Sequence, residues 1–256
     1  MPTGAAYSRT GHRSISPAAG KLPAIEDSLL PSHIRALERR PSHATPASAP
    51  SFDAAPAAER VPARQVRAVF DAHTITVYQA YSPTIAEPAI AAGRFVTPFK
   101  LGRMTWIKPS FLWMMYRCGW ARKPGQERVL AIQITREGFE WALGHSALSH
   151  YEPGTYASQQ EWDDRRRASP VRVQWDPERS LLLEPLPWRS IQIGLSGVAA
   201  TKYVHDWITG LADITTTAHE IGDLIAANDY HTARALLPVE RTYELPGALR
   251  AAVGAT

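Results

Sequence analysis

The spacing of apolar and polar residues divides the chain into two parts. Over the first 64 residues Ala, Pro and Ser dominate, as in SHATPASAPSFDAAPAAERVP, and none of the eight tryptophans comes before Trp106. A segment so poor in large apolar groups buries too little surface to offset the entropy lost on ordering. We therefore predict a disordered N-terminal tail over residues 1–64 and a single globular domain over residues 65–256.

Within the domain, apolar residues recur at every second position in some segments and at every third or fourth position in others. HTITVYQAYSP (73–83) and ERVLAIQITREGF (127–139) are typical of strands, and Ser82-Pro83 favours a short helix that ends at Gly93. Three further strand-like pieces follow from residue 170, separated by Asp-Pro and Leu-Pro. From GVAATKYVHDWITGL onward the spacing is helical. The pattern predicts an α+β fold: a mixed sheet with short packed helices and a helical C-terminal tail.

The most unusual segment is RMTWIKPSFLWMMYRCGW, residues 103–120. MTWI has the character of a strand, and Pro109 is expected to begin a helix that ends near Gly119. The helix is apolar on all sides up to Arg117, which predicts that it is buried. Lys108, just before it, is expected to be an exposed flanking residue.

Charge and cysteine content narrow the function only slightly. The net charge of +4 and pI near 9.3 suit an anionic partner but are common in soluble proteins. The single cysteine, Cys118, excludes an intrachain disulfide framework and suits a reducing compartment. No run approaches the roughly 20 apolar residues of a membrane span. We predict a cytoplasmic protein, with organelle targeting as a minor alternative because residues 1–25 are basic and Ser-rich.

Cations and aromatic rings occur together in the unusual segment. Arg103, Lys108 and Arg117 border the aromatic helix, and Trp113 and Arg117 are spaced to stack on each other. Rings beside fixed cations suit a nucleotide, with the ring contacting the base and the charges contacting phosphate. The alternative is that the tryptophans are core residues and the cations only surround them. No phosphate-loop, dinucleotide-binding or metal-binding motif occurs, and no metal site is predicted.

RMTWIKPSFLWMMYRCGWA, ERVLAIQITREGF, RSIQIGLSG and WITGLADIT together resemble the family called domain of unknown function 4291. The resemblance runs from about residue 66 to 245 and includes the long tryptophan-rich motif. This family carries no settled activity, so the resemblance implies membership without a reaction.

The order of elements is also similar to that of ADP-ribosyltransferases and their RNA 2′-phosphotransferase relatives, which implies a split sheet and NAD as cofactor. On this layout the nicotinamide-contacting position falls near Tyr78 or Gln79, and the packed helix falls on residues 109–118. The late strand RSIQIGL then carries Gln192 where those enzymes have a glutamate. An amide can bind a ribose hydroxyl but cannot supply a carboxylate.

The resemblance implies a nucleotide-binding enzyme that uses NAD to modify an unidentified acceptor, either RNA or a protein. Its catalytic residues would be Gln192 and Tyr78. Arg103 and Lys108 would hold phosphate, Trp106 and Tyr78 would flank the ring, and the remaining cofactor-binding residues would be Gln79 and Arg117. The alternatives are a non-catalytic RNA-binding module and a small-metabolite enzyme that does not use NAD.

Overall fold

The computed structural model describes residues 61–256, so the predicted tail lies outside the described residues except at positions 61–64. The strands are β1 (Arg67–Ala68), β2 (Thr74–Tyr81), β3 (Thr105–Ile107), β4 (Arg128–Thr135), β5 (Ser146–Leu148), β6 (Val171–Arg179), β7 (Pro185–Leu195), β8 (Ile208–Asp213) and β9 (Arg241–Thr242). The helices are α1 (Pro83–Ala92), α2 (Phe111–Cys118), α3 (Arg136–Gly144), α4 (Gln159–Ala168), α5 (Val198–Lys202), α6 (Thr215–Ala226), α7 (Tyr230–Ala235) and α8 (Gly247–Ala252).

Two sheets carry the fold. The first has the order β2-β4-β8 and is antiparallel throughout, while the second has the order β3-β7-β6-β5, with β5 parallel to β6. They meet where the Tyr78 N–H donates to the Lys108 carbonyl at 2.7 Å. The predicted α+β fold with a mixed, split sheet and short packed helices is confirmed.

The alternation of side chains along the strands gives each sheet an apolar core face. Ile75, Val77, Ile132, Ile191 and Ile193 of the two sheets share one large core. A second core lies on the other face of β2 and β4 and is covered by α2, α6 and α7. The second sheet has no such cover over part of its outer face, and this is where the cleft described below lies.

Helix α2 forms as the apolar pattern predicts, two residues later than expected. The Ser110 hydroxyl accepts from the Trp113 N–H at 3.2 Å, so Ser110 and not Pro109 caps the first turn. Gly119 ends the helix at φ 59°, a conformation that costs glycine little. Met115 and Cys118 are fully buried, as expected for an apolar helix.

The C-terminal region is less helical than predicted. Helix α5 continues as one π-helical turn, Tyr203–Trp207, and the residues that follow form strand β8 against β4. Thr and Gly at positions 209 and 210 are weak helix formers, and pairing with β4 outweighs the helical spacing. The helical prediction is wrong for β8, although α6, α7 and α8 follow it.

The two ends of the described chain are joined. Strands β1 and β9 pair antiparallel, and Arg64 donates from its backbone N–H to the Thr256 hydroxyl and from its guanidinium to Glu152 at 2.7 Å. Ala63 accepts from the Arg189 N–H at 2.9 Å. The domain therefore includes Ala63 and Arg64, two residues that the sequence assigned to the tail. Among residues 61–256 no helix is long and apolar enough to cross a membrane.

Candidate functional site

A cleft of about 780 Å³ lies between the ends of β2 and β3, the outer face of the second sheet and helix α2. Six of the seven site residues predicted from the sequence line it: Gln79, Arg103, Trp106, Lys108, Arg117 and Gln192. Phe99, Met104, Trp113 and Gln174 line it as well. The fold thus brings the cations and aromatic rings of the unusual segment to one place.

The outer face of the second sheet forms one wall. Trp106 of β3 lies opposite Gly194 of β7, and a Cβ at position 194 would come within 3.0 Å of the Trp106 ring. Only glycine leaves room for the indole to lie against the strand there. Gln192, two residues before Gly194, faces the cleft because strand residues of the same parity share a face.

Lys108 occupies an unusual position for a lysine. It is 6% exposed, its Nζ lies 4.9 Å from the centre of the Trp113 ring, and no group in residues 61–256 forms a hydrogen bond or ion pair with the side-chain amine. Burial, and to a smaller extent the nearby charge of Arg117, lowers the pKa of the amine to about 8, and Asp176 partly opposes both effects. The expectation of an exposed flanking residue is wrong, because α2 and the second sheet enclose the side chain.

Trp113 adds a second donor without an acceptor. The ring is 8% exposed, and its indole N–H is buried without a partner in the described chain. Buried donors are normally paired, so this indole N–H is unusual, and the Lys108 amine beside the ring also lacks an acceptor in the described chain. The cation beside Trp113 is Lys108, and the predicted stacking of Arg117 on this ring does not occur among the described contacts.

Arg103 and Arg117 contribute exposed charge at the edge of the cleft. Arg103 lies near the Tyr81 hydroxyl: burial raises the pKa of Tyr81 to about 12, and the charge of Arg103 opposes that rise. In the described chain neither guanidinium is held by an acidic side chain. Both remain available to an anionic ligand.

Gln79 forms the floor of the cleft and is 2% exposed. Its amide nitrogen donates to the Thr105 hydroxyl at 2.6 Å and to the Trp106 carbonyl at 3.0 Å, and its oxygen accepts from the Tyr203 hydroxyl at 2.7 Å. The amide is therefore satisfied by the protein itself. Its observed contacts position the strand that carries Trp106, so they favour a supporting role over the predicted contact with a cofactor.

Tyr78 does not line the cleft. Its side chain is 3% exposed and packs edge-on against Phe111, with ring centres 5.5 Å apart, in the second core. Adjacent residues on a strand point to opposite faces, so Gln79 and Tyr78 cannot both face the cleft. The predicted role of Tyr78 beside the ligand ring is corrected: only its backbone N–H, bonded to Lys108, supports the site.

Two residues of the site were missed in the sequence. Gln174 of β6 lies directly opposite Gln192 of β7, and the Asp176 carboxylate accepts from both amides, at 2.8 Å from Gln174 and 2.6 Å from Gln192. The alternation in VRVQWD puts positions 172, 174 and 176 on one face of the strand, so the sequence alone could have predicted that Gln174 and Asp176 lie side by side. That β7 is the neighbouring strand is not visible in the pattern.

A smaller cleft of about 290 Å³ lies on the other side of Ser110. Its lining includes two carboxylates: Glu178 accepts from the Ser110 hydroxyl at 2.8 Å, and Glu240 accepts from the Phe111 N–H at 2.6 Å. Burial raises the pKa of Glu178, and burial with repulsion from Glu178 raises the pKa of Glu240 to about 8. Glu240 thus fastens the C-terminal segment to the start of α2.

No group of three or more His, Cys, Asp or Glu side chains in residues 61–256 is arranged to hold a metal ion. Taken together, the fold and the larger cleft define an α+β protein with an aromatic cleft lined by cations. The chain belongs to the family Domain of unknown function (DUF4291), whose model matches residues 65–243. No curated protein matches the chain. Neither finding supports the layout similarity to ADP-ribosyltransferases, which stays a prediction from the order of elements in the sequence.

Proposed function

We propose that the larger cleft binds NAD or a closely related nucleotide, and that the protein transfers ADP-ribose from it to an acceptor. The observation that supports this most strongly is the Lys108 amine: its side chain is only 6% exposed, it lines the cleft, and it has no acceptor in the described chain. A diphosphate supplies acceptor oxygens and negative charge to this amine. Arg103 and Arg117 add charge at the edge, where a second phosphate oxygen can bind.

The rings of Trp106 and Phe99 provide apolar surfaces for a base or a nicotinamide. The volume of about 780 Å³ lies in the range of small-molecule and cofactor sites. In the proposed reaction the bond between the nicotinamide nitrogen and ribose C1′ breaks. A bond forms from C1′ to an oxygen or nitrogen of the acceptor, which releases its proton to solvent.

The positive charge that develops at C1′ needs a nearby anion. Gln192 cannot supply one, but Asp176 lies 2.6 Å from its amide nitrogen and brings a carboxylate from the neighbouring strand. Asp176 does not itself line the cleft, so it would act from behind the Gln192 amide and compensate only through it for the glutamate that ADP-ribosyltransferases have at this position. A cytoplasmic location, where NAD is available, is part of the same proposal.

Calorimetry with NAD tests the binding step. We expect wild type to bind NAD, and Arg103→Ala and Lys108→Ala each to weaken binding by about 1–3 kcal/mol, the scale of a charge-assisted hydrogen bond. Gln192→Ala should weaken binding less but abolish release of nicotinamide. An RNA-binding module would instead show no heat with NAD and would bind short RNA with an affinity that falls steeply as salt rises.

A further inference from the structure

Gln174, Gln192 and Asp176 form a hydrogen-bonded unit, of which the proposed function uses Gln192 and Asp176 but not Gln174. The two glutamines are direct cross-strand partners, so their side chains leave the sheet side by side. Each donates to a different oxygen of the same carboxylate: Gln174 to Oδ1 and Gln192 to Oδ2. One aspartate therefore fixes both amides at once.

The carboxylate also fixes which way the amides point. An ionised carboxylate only accepts hydrogen bonds, so the NH₂ group of each amide must face Asp176. Each amide oxygen then lies on the side away from Asp176. No group in the described range 61–256 donates to either oxygen, and both glutamines line the cleft, whereas Asp176 does not.

One wall of the cleft thus presents two hydrogen-bond acceptors, the side-chain oxygens of Gln174 and Gln192. We propose that Gln174 and Gln192, positioned by Asp176, bind the cis-diol of a ribose and make the cleft selective for ribonucleotides over their deoxy forms. This inference rests on the proposed nucleotide site, and it assigns the ribose as the part of the ligand that the second sheet binds. Neighbouring hydroxyls of a ribose are two donors side by side, which matches the paired oxygens.

The selectivity follows from the free-energy cost of leaving a hydrogen-bond acceptor without a donor. A site built to bind a hydroxyl rejects an analogue that lacks it, because its own polar group then loses water without gaining a partner. We expect loss of one hydroxyl to weaken binding by about 10-fold. A cleft that held only the base and the phosphates would bind both forms equally.

Calorimetry on the full chain with three ligands tests this: NAD, NAD lacking the 2′-hydroxyl of the nicotinamide ribose, and NAD lacking the 2′-hydroxyl of the adenosine ribose. We expect one of the two deoxy forms to bind about 10-fold more weakly than NAD and the other to bind like NAD. Equal binding of all three would overturn the ribose assignment and leave the proposed function standing. Failure of all three to bind would overturn the proposed function itself.

Substitutions test which residues cause the preference for NAD over its deoxy form. Gln174→Leu and Gln192→Leu should reduce the preference for NAD over the weaker deoxy form to nearly none. Asp176→Asn should reduce it as well, because an asparagine puts an NH₂ group where one of the two amides now donates to a carboxylate oxygen. If Asp176 were merely structural, the substitution would change stability but not the ratio of the two affinities.

Gln160 and Asp164 on α4 provide a matched control, since Gln160 donates to Asp164 at 3.1 Å outside the cleft. Gln160→Leu and Asp164→Asn should keep the wild-type ratio. If the ratio survives in Gln174→Leu and Gln192→Leu, the two amides do not read the ribose and the proposal is wrong.

Discussion

At the scale of single residues, the Lys108 amine combines a binding role with a cost to stability. Burial holds its pKa at about 8, below the ordinary value of 10.5. A charged amine is therefore less favourable in the folded chain than in the unfolded chain at neutral pH. A bound phosphate would supply the missing counter-charge, so the same residue links stability, pH and ligand.

The affinity for NAD should consequently depend on pH. Below about pH 8 Lys108 is charged and binds phosphate, and above that value the free protein loses the proton, so the affinity should fall by up to about 10-fold per pH unit. Lys108→Met should bind weakly and with no such dependence. Calorimetry from pH 6.5 to 9.5 at constant ionic strength measures this, with Lys202→Met, a lysine beside Trp141 and outside the cleft, as the control. A wild-type profile that stays level to pH 9.5 would contradict it.

The stability of Lys108→Met should change in the opposite sense to its binding. Because the folded pKa is below the unfolded one, the charged amine destabilises the fold most below about pH 8, and the penalty disappears as pH rises toward 10.5. We expect Lys108→Met to raise the free energy of unfolding at pH 7 by on the order of 1–3 kcal/mol. Urea unfolding at pH 7 and pH 10 checks this; a variant less stable than wild type at pH 7 would assign Lys108 a stabilising contact.

Glu240 should give the fold the opposite pH dependence. Its pKa is raised from 4.5 to about 8, so the stability that its protonated form contributes is present below about pH 4.5 and is lost as pH rises through about 8. Glu240→Gln keeps an oxygen for the Phe111 N–H without a charge. We expect it to match wild type at pH 5 and to unfold with on the order of 1–3 kcal/mol more free energy at pH 9.

The matched control for this substitution is Glu244→Gln, at an exposed carboxylate on the same segment that pairs with Arg250. It should leave the pH dependence of unfolding unchanged. If Glu240→Gln lowers stability at both pH values, the carboxylate is charged in the folded protein and its tie to α2 depends on that charge.

At the scale of elements, α2 separates the two clefts, and its side chains divide between core and rim. Met115 is fully buried in the second core, while Leu112 is only partly buried and borders the smaller cleft. We expect Met115→Ala to lower the free energy of unfolding by about 2–5 kcal/mol and Leu112→Ala by about 1 kcal/mol. Equal losses in chemical denaturation would mean that the rim of the smaller cleft is packed as tightly as the core.

Strands β2 and β4 and helices α1 and α2 could be predicted because their signals are local, although the strand predicted over residues 127–139 ends at Thr135 and α3 begins at Arg136. Alternation specified β2 and β4, Ser82-Pro83 specified the start of α1, and Gly119 specified the end of α2. Strand β8 could not, since its residues have helical spacing and only the neighbouring β4 makes them extended. The local pattern indicates which secondary structures a segment can adopt, and pairing with strands distant in the sequence decides which of them forms.

The candidate site divides in the same way. Arg103, Trp106 and Lys108 lie within six positions of one another, so proximity in sequence was enough to group them. Tyr78 and Gln79 are adjacent, and only one of them can face the cleft, which alternation could have decided once it was known which face of β2 borders the cleft. The pairing of Gln174 with Gln192 depends on the β6–β7 register, which no local signal fixes.

At the scale of the whole molecule, the fold closes where its two ends meet. Arg64 contacts Glu152, Gly254 and Thr256, so the first described residues hold the last ones. We expect a chain that begins at Gln65 to melt about 2–4 °C below one that begins at Val61, as loss of about 1 kcal/mol does in a domain of this size. Calorimetric melting of both chains measures the difference; identical melting temperatures would show that Ala63 and Arg64 contribute nothing to stability.

The hairpin of β6 and β7 has a consequence for how the protein can fail. One face of these strands is core and the other carries Gln174, Asp176 and Gln192, so a slip of one position would turn the polar residues inward and the valines and isoleucines outward. A misaligned hairpin could not persist as a folded but inactive protein, because it would lose its core along with its site. Cellular quality control would therefore recognise such a variant as an unfolded chain. Substitutions that abolish function without unfolding the protein should instead be found among the side chains that line the cleft.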